Sequence, residues 1–371
     1  MIRRDQASAS ASASSSSSAA AASALGPCGG FPERPGDVAN PALIGRGICA
    51  TLAGCGPSGA RARHGPPRRR AVRNAARTGA DVAEGLWTAK VASLAEFSAY
   101  FDHLGGAVQA RFEHEKGLLA PDLVSAQVAG HCGVCRRDSQ FLLDRYFGIE
   151  LADGTSLPNF RERLECGFCG LNTRMRAALQ FLEEQEATAE SRIYATEQMS
   201  KLFAALQARY PDLTGSEYLR DGTAPGRTNA AGIRHEDGTA LTFADGSFDY
   251  ILSFDVLEHI PDYMTALREI VRCLRPGGKL LLTVPFAIEE QAHVERARIE
   301  NGEIVHILPP EYHGDILDDG GALCFRHFGW DICEDLVAAG FASSALHFYW
   351  SKRLALMGGW QFLIVAVKGA A

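Results

Sequence analysis

The chain has 371 residues, 46% hydrophobic and 22% charged, with a net charge of −7, enough for one well-formed core and a smaller module. Residues 1–80 hold 11 Arg, no Lys and 3 acids, which leaves 26 basic and 41 acidic residues, a net of −15, for the remainder. That balance argues against a broad nucleic-acid-binding face, and no run of about 18 consecutive apolar residues marks a membrane span.

Ala7 to Ala24 contains only Ala and Ser, and Pro, Gly and Arg dominate Leu25 to Gly79. Too little apolar surface is available there to offset chain entropy, so residues 1–83 are expected to be disordered. The segment is Ser-rich, Arg-rich and acid-poor, with Arg61, Arg63, Arg68, Arg69, Arg70, Arg73 and Arg77 clustered near its end. Organelle transit peptides share this composition, and so does an unfolded tail behind a misplaced start codon. The Ala/Ser run is too weakly hydrophobic for a secretory signal, which points to an intracellular protein, cytoplasmic or organellar. From Leu86 to Leu119, residues Leu94, Phe97, Tyr100, Phe101, Leu104, Val108 and Phe112 recur at broadly helical spacing, interrupted at Gly105-Gly106. Residues 84–125 are therefore read as a helical arm packed on the next module.

Cys132-Gly-Val-Cys135 and Cys166-Gly-Phe-Cys169 are two C-x-x-C knuckles separated by 30 residues. Two tight turns of this kind present four thiolates tetrahedrally, so residues 126–175 are read as a zinc-ribbon-like module holding structural zinc, Zn2+. A redox dithiol and two unligated knuckles are the competing readings, and His131 is an alternative ligand. The glycine after the first Cys of each pair is expected to turn the backbone toward the metal. The other six cysteines show no paired pattern, as in a reducing compartment. Arg174 and Arg176, leading into a helix from Ala177 to Glu186, are expected on a solvated or salt-bridged face.

Residues 176–371 alternate strand and helix signals. Ser191 to Thr196, Leu213 to Glu217 and Gly232 to Asp237 read as three strands, with a helix from Lys201 to Tyr210 after the first. Asp249 to Phe254 is a short apolar run suited to a strand buried on both faces. Met264, Leu267, Ile270, Val271 and Leu274 follow at helical spacing, Arg275-Pro-Gly-Gly278 makes a turn, and Lys279 to Val284 is the next strand. This unit is a right-handed crossover, and open α/β sheets bind cofactors at the carboxyl ends of their strands. A helix from Trp330 to Ala339 and strands Ala345 to Trp350 and Gln361 to Val367 close the sheet.

The stretch from His235 to Phe286, opening HEDGTALTFADGSFDYILSFDVLEHI and closing LRPGGKLLLTVPF, resembles the class I S-adenosylmethionine-dependent methyltransferases of the type 11 group. The resemblance spans about residues 176 to 371. It implies a Rossmann-like, seven-stranded methyltransferase sheet with S-adenosyl-L-methionine as cofactor. It also implies Glu197 as the first-loop acid, Glu217 at the ribose, Asp237 at the adenine amino group with Gly238 and Thr239 along its edge, and Asp255 near the methyl group. The family's glycine-rich first loop is replaced by Glu197-Gln-Met-Ser200, in which Ser200 is a helix cap. Zinc-ribbon modules ahead of methyltransferase domains also occur in sugar C-methyltransferases and certain ribosomal RNA guanine methyltransferases, an architectural likeness.

Phe286 to Phe328 is long for a loop in a compact domain and reads as a lid or substrate loop. It carries His293, Arg296, Arg298, His306, Glu311, Tyr312, His313, Asp315 and His327. His313, with Asp255, is the candidate catalytic group; a base is needed only when the acceptor must lose a proton. The remaining histidines are expected on the surface, without a second metal site, and Glu258 and His259 as a packed turn. The predicted activity is in-line methyl transfer to a small-molecule or glycan-type acceptor. The competing readings are a methyltransferase-fold binding protein without turnover and an RNA methyltransferase using the zinc module.

Overall fold

The computed structural model describes residues 87–151 and 154–370; the Ala/Ser/Arg-rich tail lies outside the described residues. Seven strands form one mixed sheet: β1 (Trp87–Val91), β2 (Ile193–Ala195), β3 (Leu213–Gly215), β4 (Phe248–Phe254), β5 (Leu274–Thr283), β6 (Phe341–Trp350) and β7 (Phe362–Lys368). Their spatial order is β1-β6-β7-β5-β4-β2-β3. Strands β3, β2, β4 and β5 pair in parallel, β7 runs antiparallel between β5 and β6, and β1 pairs antiparallel with β6. The helices of seven residues or more are α1 (Leu94–Leu104), α2 (Gly106–Lys116), α3 (Thr173–Glu184), α4 (Lys201–Gln207), α5 (Tyr263–Cys273) and α6 (Ile332–Ala339), and Arg161 sits on a short helical turn, Phe160–Arg163. Helices α1, α5 and α6 pack on one face of the sheet and α3 and α4 on the other. Both faces are covered, so β4 and β5 are apolar runs: Ile251, Leu252, Leu280, Leu281 and Leu282 are essentially inaccessible. Among the described residues no helix is long and apolar enough to cross a membrane.

The α/β fold and the strand number are as expected, but two members of the sheet differ. Trp87–Val91, read as part of a helical arm, is an edge strand: Ala89 and Val91 are buried while Thr88 and Lys90 are exposed, a period of two. Gly232 to Asp237, read as the third strand, makes one parallel bridge, Glu217 to His235. Its backbone bonds are divided. Glu217 N–H donates to Arg234 O (2.9 Å), while His235 N–H turns away to Arg227 O (2.8 Å).

The arm and the cysteine module dock on this sheet through buried polar anchors. Ser93 caps α1 by accepting from Glu96 N–H, and Gly105, at φ 43°, separates α1 from α2. Phe97 of α1 inserts among Trp330, Phe348 and Trp360 with ring centroids 5.1 to 5.5 Å away. Helix α2 is held by Glu115, which is buried and accepts from Trp350 Nε1 (2.8 Å) and Gly358 N–H (2.7 Å). The cysteine module is a hairpin of Ser125–Cys132 with Arg137–Asp144, extended by the short strand Glu165–Cys166. Arg176, expected on a solvated or salt-bridged face, is 2% exposed. It donates to Leu354 O (2.7 Å), Ala355 O (2.7 Å) and Leu164 O (3.2 Å), with its guanidinium 4.4 Å from the Phe141 ring. One side chain therefore joins the module to the β6–β7 loop.

Replacing Arg176 with Met keeps the apolar volume but leaves three buried carbonyls without their donor, at an expected cost of about 3–5 kcal/mol. Guanidinium denaturation of Arg176→Met beside wild type measures this, and a loss below about 1 kcal/mol would remove the anchoring role.

Candidate active site

The four knuckle cysteines converge. Cys132 Sγ lies 3.9 Å from Cys169 Sγ, Cys135 Sγ lies 3.9 Å from Cys166 Sγ, and all four sulfurs are within 4.8 Å of one another. Tetrahedral Zn–S bonds of about 2.3 Å require sulfurs about 3.8 Å apart, so the quartet fits one zinc ion. The amides of Cys135 and Phe168 point at Cys132 Sγ (3.4 Å) and Cys166 Sγ (3.5 Å), and Ser139 Oγ is 3.2 Å from Cys166 Sγ. Contact with Cys169 holds the Cys132 thiol down at about 4, while Cys132 pushes Cys169 up. All four can ionise together only around a cation. The turn chemistry differs from expectation, because the left-handed residues are Arg136 (φ 54°) and Gly170 (φ 66°), after the second Cys of each pair. Gly167 is needed for space instead, since an added Cβ would meet Gln140 O at 2.9 Å. His131 stands outside the quartet, with Nδ1 2.9 Å from exposed Asp138.

A cavity of about 670 Å³ opens at the carboxyl ends of β4 and β5. It is walled by α2, the cysteine module, the turn after β4 and the Tyr312–Gly314 part of the long insertion. Asp255, at φ 55°, begins that turn. Arg161 of the module donates from Nη2 to both its carboxylate oxygens (2.9 and 2.6 Å), and Thr283 Oγ1 donates at 3.1 Å. Burial opposes the Asp255 charge, but Arg161 and Arg174 outweigh it and hold the carboxyl at about 2. Such a group is no base near neutral pH, and its oxygens are engaged by Arg161 and Thr283. Arg174 is held by Glu162, 3.0 Å from its Nε.

Glu197 lines the same cavity, and its Oε1 is buried without a hydrogen-bond partner. Burial pushes its pKa up, which a cationic ligand would reverse. Glu217 Oε1 accepts from Gln198 N–H (2.7 Å) and Met199 N–H (2.9 Å), and the Gln198 side chain bonds Gly232 O and Arg234 N–H. The glycine-free first loop is thus pinned by the acid after β3, and Ser200 caps α4 by accepting from Phe203 N–H. Asp237 Oδ1 accepts from Thr239 N–H (2.8 Å) and Oγ1 (2.7 Å). Glu197, Asp255 and His313 meet in one cavity, whereas Glu217, Asp237, Gly238 and Thr239 are outside its lining.

The insertion is ordered by three short ladders: Val294–Glu295 with Arg326–His327, Ala297–Glu300 with Glu303–His306, and Tyr312–His313 with Ala322–Leu323. Several histidines expected on the surface are structural. His293 contacts Asp335 (2.7 Å) and accepts from Gly329 N–H, and buried His327 bonds Glu311 (2.9 Å). His313 reaches the cavity. Burial opposes its protonation, but Cys324, Glu258 and Glu311 outweigh that and push it up to about 12. Its neighbours thus favour the protonated ring, which is not a base. Sequence reasoning missed Arg161, which sits in no spacing that marks chemistry, and read Glu258 as part of a packed turn.

Residues 183–282 match the family model described as a methyltransferase domain. Over 93 residues the chain is 32% identical to 27-O-demethylrifamycin SV methyltransferase of Amycolatopsis mediterranei (strain S699), covering 24% of this chain and 34% of the relative. Over 75 residues it is 33% identical to demethylmenaquinone methyltransferase of Staphylococcus aureus (strain JH9), covering 19% and 31%. The chain thus spans about a third of the length of the curated relatives it matches. The structure of an S-adenosylmethionine-dependent methyltransferase from Mesorhizobium loti is similar with a TM-score of 0.35 and 17% identity, covering 52% of this chain and 98% of that one. The chain is an α/β protein with a methyltransferase-domain segment at its centre.

Asp255→Ala is expected to cost about 2–3 kcal/mol by leaving the half-buried Arg161 guanidinium without its partner. Because the folded pKa is depressed, the ion pair stabilises fully above about pH 4, and its contribution, on the order of 2 kcal/mol, is lost as pH falls through about 2. Denaturant titrations at several pH values should show the gap between wild type and variant shrinking over that window; a constant gap would contradict the pairing.

Proposed function

We propose that this protein is an S-adenosyl-L-methionine-dependent methyltransferase acting on a small-molecule or glycan-type acceptor, with structural zinc in the cysteine quartet. The observation that carries the reading is Glu197 Oε1, buried and unpartnered beside a cavity at the strand ends of a methyltransferase-domain segment. A cofactor bearing both an ammonium and a sulfonium suits that acid. Glu197 would bind the ammonium, Glu217 the ribose through Oε2, and Asp237, with Gly238 and Thr239, the adenine edge. When bound, the sulfonium supplies a methyl group for in-line displacement. The chain's own residues align the partners and exclude water: Arg161 and Asp255 fix the module against the sheet, while α2 and the insertion wall off solvent. The relatives named for 27-O-demethylrifamycin SV and demethylmenaquinone support a small-molecule acceptor, and the acidic body opposes RNA.

The engagement of Glu217 by the first loop favours a second reading, a binding protein without turnover. Calorimetric titration of S-adenosylmethionine and S-adenosylhomocysteine into the full-length, zinc-loaded chain addresses the cofactor. Micromolar binding is expected, weakened at least tenfold, about 1.4 kcal/mol, in Glu197→Gln, Glu217→Ala and Asp237→Ala. No binding by folded wild type would defeat the methyltransferase reading, and binding without transfer to any acceptor screened would favour the second. Cys169→Ser is expected to lose one equivalent of zinc by elemental analysis and to lower Tm by several degrees.

A further inference from the structure

Glu258, in the turn after β4, is fully buried in the cavity wall, and neither of its carboxylate oxygens has a hydrogen-bond partner. Two imidazole nitrogens face its Oε1, His313 Nδ1 at 3.5 Å and His259 Nε2 at 3.6 Å. Their far nitrogens fix which tautomer each ring adopts when neutral. His259 Nδ1 lies 2.8 Å from the Leu323 carbonyl, which only accepts, so Nδ1 carries the proton. His313 Nε2 lies 3.0 Å from Glu311 Oε1, and Glu311 is kept ionised by Arg296 (3.1 Å) and His327 (2.9 Å). Nε2 of His313 therefore also carries a proton. In the neutral imidazoles the lone pairs of His259 Nε2 and His313 Nδ1 then both turn toward a carboxylate.

Three electron-pair donors thus converge within 4.8 Å of one another. Metal-ligating histidines commonly donate their outer N–H to a carbonyl or carboxylate in this way, which leaves the inner nitrogen free to ligate. We propose that Glu258, His259 and His313 bind one divalent transition-metal cation in the cavity wall, its remaining coordination positions open to the cavity. Two nitrogens and one carboxylate oxygen suit Zn2+, Mn2+ or Fe2+. Glu311 acts behind the site, since its oxygens are taken by His313, His327 and Arg296. The site stands independently of methyl transfer. Where that reading holds, the open positions take an oxygen of the acceptor and lower the pKa of its hydroxyl, which neither Asp255 nor a protonated His313 can do.

The competing occupant is a proton on His313 Nδ1, and metal stoichiometry separates the two. Full-length protein with the cysteine quartet loaded with Zn2+ is titrated with Mn2+ while free Mn2+ is read by electron paramagnetic resonance. Wild type is expected to bind one Mn2+ per chain, and Glu258→Gln and His259→Asn at least tenfold more weakly, with unchanged circular dichroism and zinc content. Adding 4-nitrocatechol to the Mn2+-loaded protein is expected to shift the probe's visible absorption. Wild type that binds neither Mn2+ nor Co2+ beyond the quartet, or Glu258→Gln that binds as tightly as wild type, overturns the site. Bound Mn2+ with an unaltered nitrocatechol spectrum overturns the open positions. No cofactor or methyl acceptor enters these measurements, so failure of the methyl-transfer reading is seen separately.

Discussion

The ion pair between Arg161 and Asp255 is where the two halves of the molecule meet. Asp255 leaves β4 in a left-handed conformation that points its carboxylate out of the sheet, and Arg161 reaches it from the cysteine module with two hydrogen bonds. Both charges are half-buried, so each relies on the other. Burying either one alone would be costly. The cavity wall beside them, including Arg174 and Glu162, inherits its geometry from this contact. A zinc-type module that was only tethered to the sheet would leave the cavity open on that side.

The same principle recurs at the other junctions. Glu115 satisfies Trp350 Nε1 and Gly358 N–H, and Arg176 satisfies carbonyls of the β6–β7 loop. Apolar contacts such as Phe97 among Trp330, Phe348 and Trp360 supply most of the burial energy, but they tolerate sliding. Buried hydrogen bonds do not tolerate it, because an offset of 1 Å leaves a polar group unsatisfied. Arm, module and insertion are therefore placed by polar anchors and held by apolar area.

At the carboxyl ends of the strands, carboxylates perform two kinds of work. Glu217 gives its Oε1 to the amides of Gln198 and Met199, which holds a loop that lacks the glycines of its family resemblance. Glu197 and Glu258 keep buried oxygens without partners, which is unfavourable in isolation and directs attention to cations. The division follows from geometry: an acid beside amide donors holds a loop, and an acid buried away from donors is left open to a cation.

The local elements and the thiol chemistry were legible in the sequence. The apolar run from Asp249 to Phe254, the helical spacing from Met264 to Leu274, the Pro-Gly-Gly turn and the paired knuckles each depend on neighbours a few residues away. The edge strand Trp87–Val91 was hidden because five residues of period two abut a longer helical pattern, and the third strand failed because its backbone bonds are split between Glu217 and Arg227. The site needed the tertiary structure. Arg161 meets Asp255 across 94 residues, and His313 lies 54 positions beyond His259 yet its ring centroid is 4.9 Å from that of His259. Periodicity and spacing report contacts made along one element, whereas the charge on Asp255, the confinement of Glu258 and the direction of each imidazole lone pair are set by groups that approach from other parts of the chain. The sequence by itself therefore determined the sheet's central strands and the cysteine quartet, and only the tertiary structure decided which acids remain unpartnered, because desolvation is a property of the packed cavity.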